Sequence, residues 1–235
     1  GSILFVYSHF TGQSGDDFGN AYLAGRYSKD NGKTWTSEDV SIVKQEGDMN
    51  VMSVSLLRLK NGKIALFYVV KNSVYDCIPY MRISSDEAKN WSKPIKCITD
   101  RPGYFVLNNG RVIQLKNGRL VMPVALHNIS DEDLSKSRGW ENGFIYCYIS
   151  DDNGLTWKCS KEIKKPDKVI TQEPGVVELK NGSILLFMRT YGGVQYISYS
   201  KDKGNTWSMS VPSTIKSPCS PASIKRIPST GDLLL

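Results

Sequence analysis

The chain has 235 residues, of which 40% are hydrophobic and 23% charged, as in ordinary soluble globular proteins. No apolar run approaches the roughly 18 residues that a membrane-spanning helix needs, and the first ten residues show no signal peptide. The net charge of +7 comes from scattered lysines, many at predicted turn tips. This pattern favours a solvated basic surface, or mild steering of an acidic ligand, over a nucleic-acid-binding stripe.

Five cysteines and two histidines are present, with no Cys-x-x-Cys spacing, so neither a zinc site nor any other cofactor is predicted. Cys147 and Cys159 flank one predicted hairpin and could face each other, although free thiols in strands are favoured. The redox compartment stays open.

In chain order, apolar strand-like segments alternate with two repeated turn motifs. The first motif is Ser-x-Asp-x-Gly-x-Thr-Trp, the Asp box, at Ser28–Trp35, Ser150–Trp157 and Ser200–Trp207. An altered copy at Ser84–Trp91 has Ala88 and Asn90 in place of the glycine and threonine. The second motif is Leu-Lys-Asn-Gly at 59–62, 115–118 and 179–182. Asn-Gly between apolar runs predicts a two-residue type I′ hairpin, with positive φ at both residues.

The two motifs interleave, so each unit is predicted as strand A, Asn-Gly turn, strand B, loop, strand C, Asp box and strand D. In the clearest unit, A covers 175–179, B covers 184–190, C covers 195–200, and D starts near Trp207. Successive boxes begin 56, 66 and 50 residues apart, at Ser28, Ser84, Ser150 and Ser200.

This spacing is typical of β-propeller blades. The fold class predicted is all-β, a β-propeller of four-stranded blades, with about four blades in residues 1–235. Because both ends of the sequence fall within a predicted strand B, we expect one partial propeller, truncated at both ends. Missing blades or another chain would complete it.

The Asp box itself indicates structure rather than chemistry. Its aspartate can accept hydrogen bonds from the turn, its glycine supplies a positive φ, and its tryptophan is expected to pack between blades. The carboxylate spacing of a calcium loop is missing.

Strand alternation places the Asn-Gly turns and Asp boxes on one face. The starts of A strands, the ends of B strands and the B–C loops lie on the other face, where the residues differ between units. The candidates there are Asp16, Asp17, Asn50, Asn108, Asn109, His127, Glu173, Arg189 and Tyr191.

Two carboxylates converging with an arginine are what hydrolysis of a glycoside of an anionic sugar requires. One carboxyl protonates the leaving oxygen, the other activates a nucleophile, and the guanidinium grips a carboxylate. Asp17 and Glu173 are the predicted catalytic pair, with Asp16 the rival of Asp17, and Arg189 is the predicted substrate contact. Asn109, His127 and Tyr191 are further substrate-binding candidates. Structural or packing roles are the alternatives for His127, Tyr191, Arg111 and Tyr104.

These motifs resemble the Asp-box sialidase (neuraminidase) superfamily along essentially the whole chain. The segment Gly15–Trp35 resembles the family's acid/base loop leading into the first Asp box, and Asp17 matches the catalytic aspartate. The segment Gln172–Thr190 resembles the family's glutamate-bearing hairpin. There Glu173 matches the carboxylate that polarises the tyrosine nucleophile, and Arg189 matches the second arginine of the triad that binds the sialic acid carboxylate.

The resemblance implies a propeller that is six-bladed when complete. It also implies that the first triad arginine precedes residue 1, and that the third arginine and the nucleophile follow residue 235. Glu173-Pro174 departs from the more usual Glu-Ser-Gln, and Arg226-Ile227-Pro228 copies the family's Arg-Ile-Pro letters but leads into a predicted turn on the Asp-box face.

The function expected from the resemblance is that of an exo-α-sialidase, which hydrolyses terminal sialic acids from glycoconjugates, in a secreted or periplasmic location. Two alternatives stay open: a non-catalytic Asp-box module that binds glycans or proteins, and a propeller hydrolase for another sugar. A carbohydrate partner is expected, with an anionic sugar as the favoured class.

Overall fold

The computed structural model describes residues 2–12, 17–130 and 142–235, and throughout them the regular structure is β-strand. Unit 1 comprises β1 (Ile3–Phe10), β2 (Ala21–Ser28) and β3 (Val40–Val43). Unit 2 comprises β4 (Asn50–Arg58), β5 (Ile64–Lys71), β6 (Cys77–Ser84) and β7 (Ile95–Lys96).

Unit 3 comprises β8 (Tyr104–Val106), β9 (Ile113–Gln114), β10 (Leu120–His127), β11 (Phe144–Ser150) and β12 (Lys158–Cys159). Unit 4 comprises β13 (Thr171–Glu178), β14 (Ile184–Thr190), β15 (Val194–Ser200) and β16 (Val211–Lys216). A final hairpin joins β17 (Lys225–Arg226) to β18 (Leu233–Leu234). No helix in the described ranges is long and apolar enough to cross a membrane.

Unit 4 shows the predicted strand order most completely, as the antiparallel sheet β13-β14-β15-β16. Its fourth strand begins at Val211, four residues after Trp207, which was expected to open it. Units 2 and 3 do not form separate sheets, because β6 and β8 pair in parallel at Cys77 and Tyr104. Strands β4 to β12 therefore make one nine-stranded sheet.

The Asn-Gly turns differ from the predicted type I′ hairpins. Only the glycine has a positive φ, for example 83° at Gly62. The amide of Gly62 donates to the Leu59 carbonyl at 2.9 Å, and the amide of Leu59 donates to the Lys63 carbonyl at 2.8 Å. These bonds define a type I turn followed by a left-handed glycine, a three-residue hairpin loop. The asparagine instead accepts a hydrogen bond on its side chain, from the Lys63 amide at 3.1 Å.

The Asp boxes make the hydrogen bonds that their residue types predict. In the third box, the Asp152 carboxylate accepts from the Thr156 amide at 2.9 Å, from the Thr156 hydroxyl at 2.5 Å and from the Ser150 hydroxyl at 2.7 Å. The altered second box keeps the pattern, because Asn90 donates to Asp86 through both its amide and its side chain. Ala88 takes the glycine's place with a φ of 64°.

The core lies between consecutive units. One cluster joins units 1 and 2, a second joins units 2 and 3, and a third joins units 3 and 4. Trp157 of the third Asp box reaches across to Phe67 of unit 2, with ring centroids 6.0 Å apart in an edge-to-face arrangement. Trp91 and Trp207 likewise pack against the clusters that their units share with the preceding unit. The predicted packing of these tryptophans between units is therefore confirmed.

Candidate functional site

The pairing of strands places the Asp boxes of all four units at the same end of their sheets, and this separates an Asp-box face from an opposite face. Strands β1, β5, β10 and β14 begin at Ile3, Ile64, Leu120 and Ile184, and each of these residues pairs with the serine that starts an Asp box. At the other end of unit 4, Thr171 pairs with Thr190. Glu173 and Arg189 therefore lie at the end of the sheet opposite its Asp box, as strand alternation predicts. Arg226 pairs with Leu233 in the last hairpin, and its guanidinium donates to the carbonyl of Glu178, at the Asp-box end of β13.

Two adjoining cavities open on the face opposite the Asp boxes. The outer cavity, of about 260 Å³, has a partly aromatic lining of Asp17, Phe18, Tyr104, Val106, His127, Gln172 and Glu173. The inner cavity, of about 190 Å³, adds polar groups that include Ser53, Lys71, Asn108 and Asn109. Asp17 and Glu173 line both cavities. The two predicted catalytic carboxylates therefore belong to one cleft.

A β-bulge aims Glu173 into this cleft. The register of β13 against β14 shifts between Gln172 and Gly175, and Glu173 adopts a φ of 48°. A left-handed φ is costly for a residue with a side chain, and bulges are known to redirect side chains beside functional sites. Gly175 completes the bulge, since a Cβ there would lie 2.3 Å from the Phe187 ring. Unit 2 repeats the device at Ser53, which has a φ of 64° and also lines the inner cavity.

Glu173 is held by two side chains. The Nη1 atom of Arg189 donates to one carboxylate oxygen at 2.7 Å, and the Nδ2 atom of Asn108 donates to the other at 3.2 Å. Both Glu173 and Arg189 have side chains 21% exposed. Burial acts to lower the pKa of the Arg189 guanidinium, but its bonds to Glu173 and Cys219 outweigh burial, and its pKa is raised. Arg189 therefore stays charged at any physiological pH.

Arg111 supplies a second guanidinium near Glu173. It is 5% exposed, and one of its Nη atoms lies 2.9 Å from the place where a Cβ on Gly175 would be. Burial lowers its pKa, and the charge of Glu173 opposes that effect. The Phe187 ring lies under its guanidinium at 5.4 Å. Arg111 is therefore a buried residue that packs against the bulge and supports it.

Asp17 lines the cleft from unit 1 and is exposed. Its backbone carbonyl accepts hydrogen bonds from the Lys71 ammonium at 2.7 Å and from the Asn50 side chain at 2.9 Å. Asn50 also donates to the Gly19 carbonyl at 2.9 Å. Unit 2 thus fixes the backbone of a loop that belongs to unit 1. Asp16, the rival acid/base, lies outside the described residues.

The remaining predicted residues lie at varied distances from the cleft. His127 is 4% exposed, lines the outer cavity and meets the Tyr104 ring edge-to-face, with centroids 6.3 Å apart. Asn109 lines the inner cavity, but its side-chain oxygen accepts from the Val54 amide at 2.8 Å, a structural bond between units. Arg189 and Tyr191 are not among the described residues that line either cavity; Arg189 adjoins the cleft through its bond to Glu173. Tyr191 is 53% exposed, with its ring 6.0 Å from the Arg189 guanidinium.

Sequence reasoning missed Lys71, Phe18 and Gln172 among the residues that line the cleft. Lys71 ends the apolar run of β5 (IALFYVVK) at the register position of Phe10, His127 and Tyr191. A charged residue at the end of an apolar strand, on the face where residues differ between units, could have indicated a functional residue from the sequence alone. Phe18 and Gln172 carry no such signal beyond standing beside Asp17 and Glu173.

The arrangement brings two carboxylates from units 1 and 4 to one cleft, with a permanently charged guanidinium bonded to one of them. Such a pair can transfer a proton on one side and polarise a nucleophile on the other. In the described residues, no group of three or more His, Cys, Asp or Glu side chains is placed to hold a metal ion.

Repeated Asp boxes on stacked antiparallel units, with a variable face that carries a carboxylate cleft, define the class of Asp-box repeat proteins. The model of the BNR repeat-like domain matches residues 26–235. The chain therefore belongs to the BNR repeat-like family, within the Asp-box sialidase superfamily.

Curated relatives point to sialidases. The chain is 30% identical over 188 residues to an anhydrosialidase from Macrobdella decora, covering 74% of this chain and 23% of that protein. It is 26% identical over 197 residues to a sialidase from Clostridium perfringens, covering 69% of this chain and 50% of that protein. The chain thus spans half or less of the length of these relatives.

Solved structures show the same fold. A protein of unknown function from Dyadobacter fermentans matches with a TM-score of 0.77 at 25% identity, covering 97% of this chain and 70% of its own. The intramolecular trans-sialidase from Ruminococcus gnavus matches with a TM-score of 0.70 at 16% identity, covering 91% and 68%. At this identity, the second match speaks for the fold alone.

Proposed function

We propose that the chain is part of the catalytic domain of an exo-α-sialidase-type glycoside hydrolase. The observation that carries the proposal is the cleft that Asp17 and Glu173 share, with Arg189 paired to Glu173. The sialidase relatives supply the substrate class, a glycoside of a sugar that bears a carboxylate.

In this proposal Asp17 is the general acid/base. As the glycosidic C–O bond breaks, its carboxyl gives a proton to the leaving oxygen, and it takes one back from the water that releases the sugar. Glu173 polarises a tyrosine nucleophile that lies outside residues 1–235. Arg189 donates to the sugar carboxylate as a charge-assisted contact, while its Nη1 keeps the bond to Glu173.

The other residues in and around the cleft are proposed to bind the sugar or to hold Glu173, without transferring a proton. Asn109 and His127 line the cleft and contact the sugar ring or its substituents, and Tyr191 contributes at the rim beside Arg189. Asn108 holds Glu173 from the second side.

We further propose that residues 1–235 are a partial six-bladed propeller completed by further blades. Phe5 in unit 1 is 55% exposed, whereas Leu66, Met122 and Leu186 at the same register position are fully buried under the preceding unit. The outer face of unit 1 therefore has the character of a surface built to be covered. A monodisperse, cooperatively unfolding monomer of residues 1–235 alone would contradict this.

The activity is tested on the full-length protein with 3′-sialyllactose, by following the release of free sialic acid. The proposal expects turnover with the α-anomer formed first, as NMR of the fresh product would show, and loss of turnover in Asp17→Ala. Saturable binding without turnover would favour the non-catalytic glycan-binding module. Cleavage of another glycoside, with sialosides untouched, would favour a hydrolase for a different sugar.

A further inference from the structure

Lys71 is a buried ammonium group in the wall of the candidate site. It is 1% exposed, ends strand β5 of unit 2, and lines the inner cavity together with the two carboxylates. Burying an ammonium group is strongly unfavourable unless hydrogen-bond acceptors or other partners compensate for the lost hydration. The fold does not require a cation here, since Phe10, His127 and Tyr191 fill the same register position in the other units.

The contacts of Lys71 converge on the loop that carries Asp17. Its Nζ donates to the Asp17 carbonyl at 2.7 Å and lies 4.5 Å from the centre of the Phe18 ring. On the other side, Nζ lies 5.4 Å from the centre of the Tyr104 ring, in unit 3. One ammonium group therefore links units 1, 2 and 3 at the point where the acid/base residue enters the cleft.

Asn50 reinforces the same contact. Its side chain is fully buried and donates to the carbonyls of Asp17 and Gly19, each at 2.9 Å. Two donors from unit 2 thus hold one carbonyl of unit 1. Because a backbone carbonyl and the side chain of the same residue share one Cα, fixing the first restricts where the second can point.

We propose that Lys71 is a positioning residue for the proton transfer by Asp17. The inference rests on the proposed function. Lys71 does not touch the reacting atoms; its ammonium holds the Asp17 backbone so that the carboxyl reaches the leaving oxygen.

The test compares two leaving groups on the full-length protein. An aryl sialoside such as 4-nitrophenyl α-sialoside loses a stabilised phenolate and needs little protonation, whereas 3′-sialyllactose loses an alkoxide that needs a full proton. The second step, in which water releases the sugar, is common to both substrates, so the comparison uses kcat/KM, which reports the cleavage of the glycosidic bond. For Lys71→Met, we expect kcat/KM on 3′-sialyllactose to fall by about tenfold or more, and kcat/KM on the aryl sialoside to change by less than about threefold. Lys71→Arg, which keeps a cationic donor, should recover much of the loss.

Lys203→Met is the matched control. Its ammonium also donates to a backbone carbonyl, that of Gly182 at 3.1 Å, but on the Asp-box face. It should leave both rates unchanged. Asn50→Ala is the second variant, for the case that Lys71→Met does not fold; it should show the same dependence on the leaving group, to a smaller degree.

The outcomes separate the two proposals. If the wild-type protein cleaves neither sialoside, the proposed function fails. If it cleaves both, and Lys71→Met loses activity equally on both or on neither, Lys71 is a structural lysine and the inference is wrong. Asp17→Ala completes a double-mutant cycle. If Lys71 acts through Asp17, adding Lys71→Met to Asp17→Ala should cause little further loss of activity.

Discussion

The Asp-box face repeats the same motif and hydrogen bonds in every unit, whereas the cleft face has different residues in each unit. On the Asp-box face, the same hydrogen bonds recur in every unit: the serine hydroxyl donates to the box aspartate in all four boxes. On the cleft face, one register position holds Phe10, Lys71, His127 and Tyr191 in turn. Repetition therefore maintains the stack of units, and departures from repetition build the site. Variants on the two faces should accordingly separate stability from activity.

The largest effect is expected on the cleft face. In the full-length protein, Glu173→Gln keeps the shape of the side chain but removes the charge that polarises the nucleophile. We expect kcat on 3′-sialyllactose to fall by roughly 10²–10³-fold. Thermal unfolding should shift by only a few degrees, since the ion pair with Arg189 is partly solvent-exposed. Unchanged kcat would remove Glu173 from the mechanism.

A large stability effect is expected on the Asp-box face. Trp157 is half-buried against Phe67, so Trp157→Ala should lower the free energy of unfolding by about 2–3 kcal/mol. Trp35→Ala is the matched control, because Trp35 is 41% exposed and should cost about 1 kcal/mol or less. Chemical denaturation measures both. Equal losses would mean that the packing between units does not set the cost.

Substitutions in the Leu-Lys-Asn-Gly hairpin loops should have smaller effects on stability, and they test the type of turn. In the observed turn only Gly62 needs a left-handed φ, and a Cβ there would meet nothing within 4 Å. Gly62→Ala should therefore cost about 1 kcal/mol from backbone strain alone. Asn61→Ala should cost about 0.5 kcal/mol, for its bond to the Lys63 amide. Equal or reversed costs would favour the type I′ turn instead.

The smallest effect concerns acid stability. Hydrogen bonds from the Asn90 side chain, the Asn90 amide and the Ser84 hydroxyl lower the pKa of Asp86 to about 2. A depressed carboxylate pKa stabilises the fold above the ordinary value near 4, and the contribution is lost as the pH falls through about 2. Asp86→Asn should therefore lower Tm slightly at pH 6, and the difference should vanish towards pH 2. Asp167→Asn, at an exposed aspartate outside the boxes, should change Tm at neither pH; a gap that persists at low pH would contradict the assignment.

The repeated part of the fold could be predicted from sequence because its signals are local. Each Asp box closes its own hydrogen bonds within eight residues, and strand alternation then places Glu173 beside Arg189. The turn type was predicted wrongly, since Asn-Gly is compatible with two loop lengths and only the pairing of Leu59 with Lys63 distinguishes them.

Contacts between units could not be predicted in the same way. The parallel bridge of Cys77 to Tyr104 joins two repeats, and Lys71 reaches an adjacent unit to hold Asp17. Both depend on how neighbouring units stack, which no single repeat encodes. Asn109 lies beside the cleft, and its bond to the Val54 amide depends on the same stacking.

The most direct test of the separation between faces is a crystal structure of the full-length protein soaked with sialic acid. We expect the sugar to lie in the cleft that Asp17 and Glu173 line, with its carboxylate against Arg189. A sugar bound on the Asp-box face, or in the cleft with its carboxylate turned away from Arg189, would contradict it.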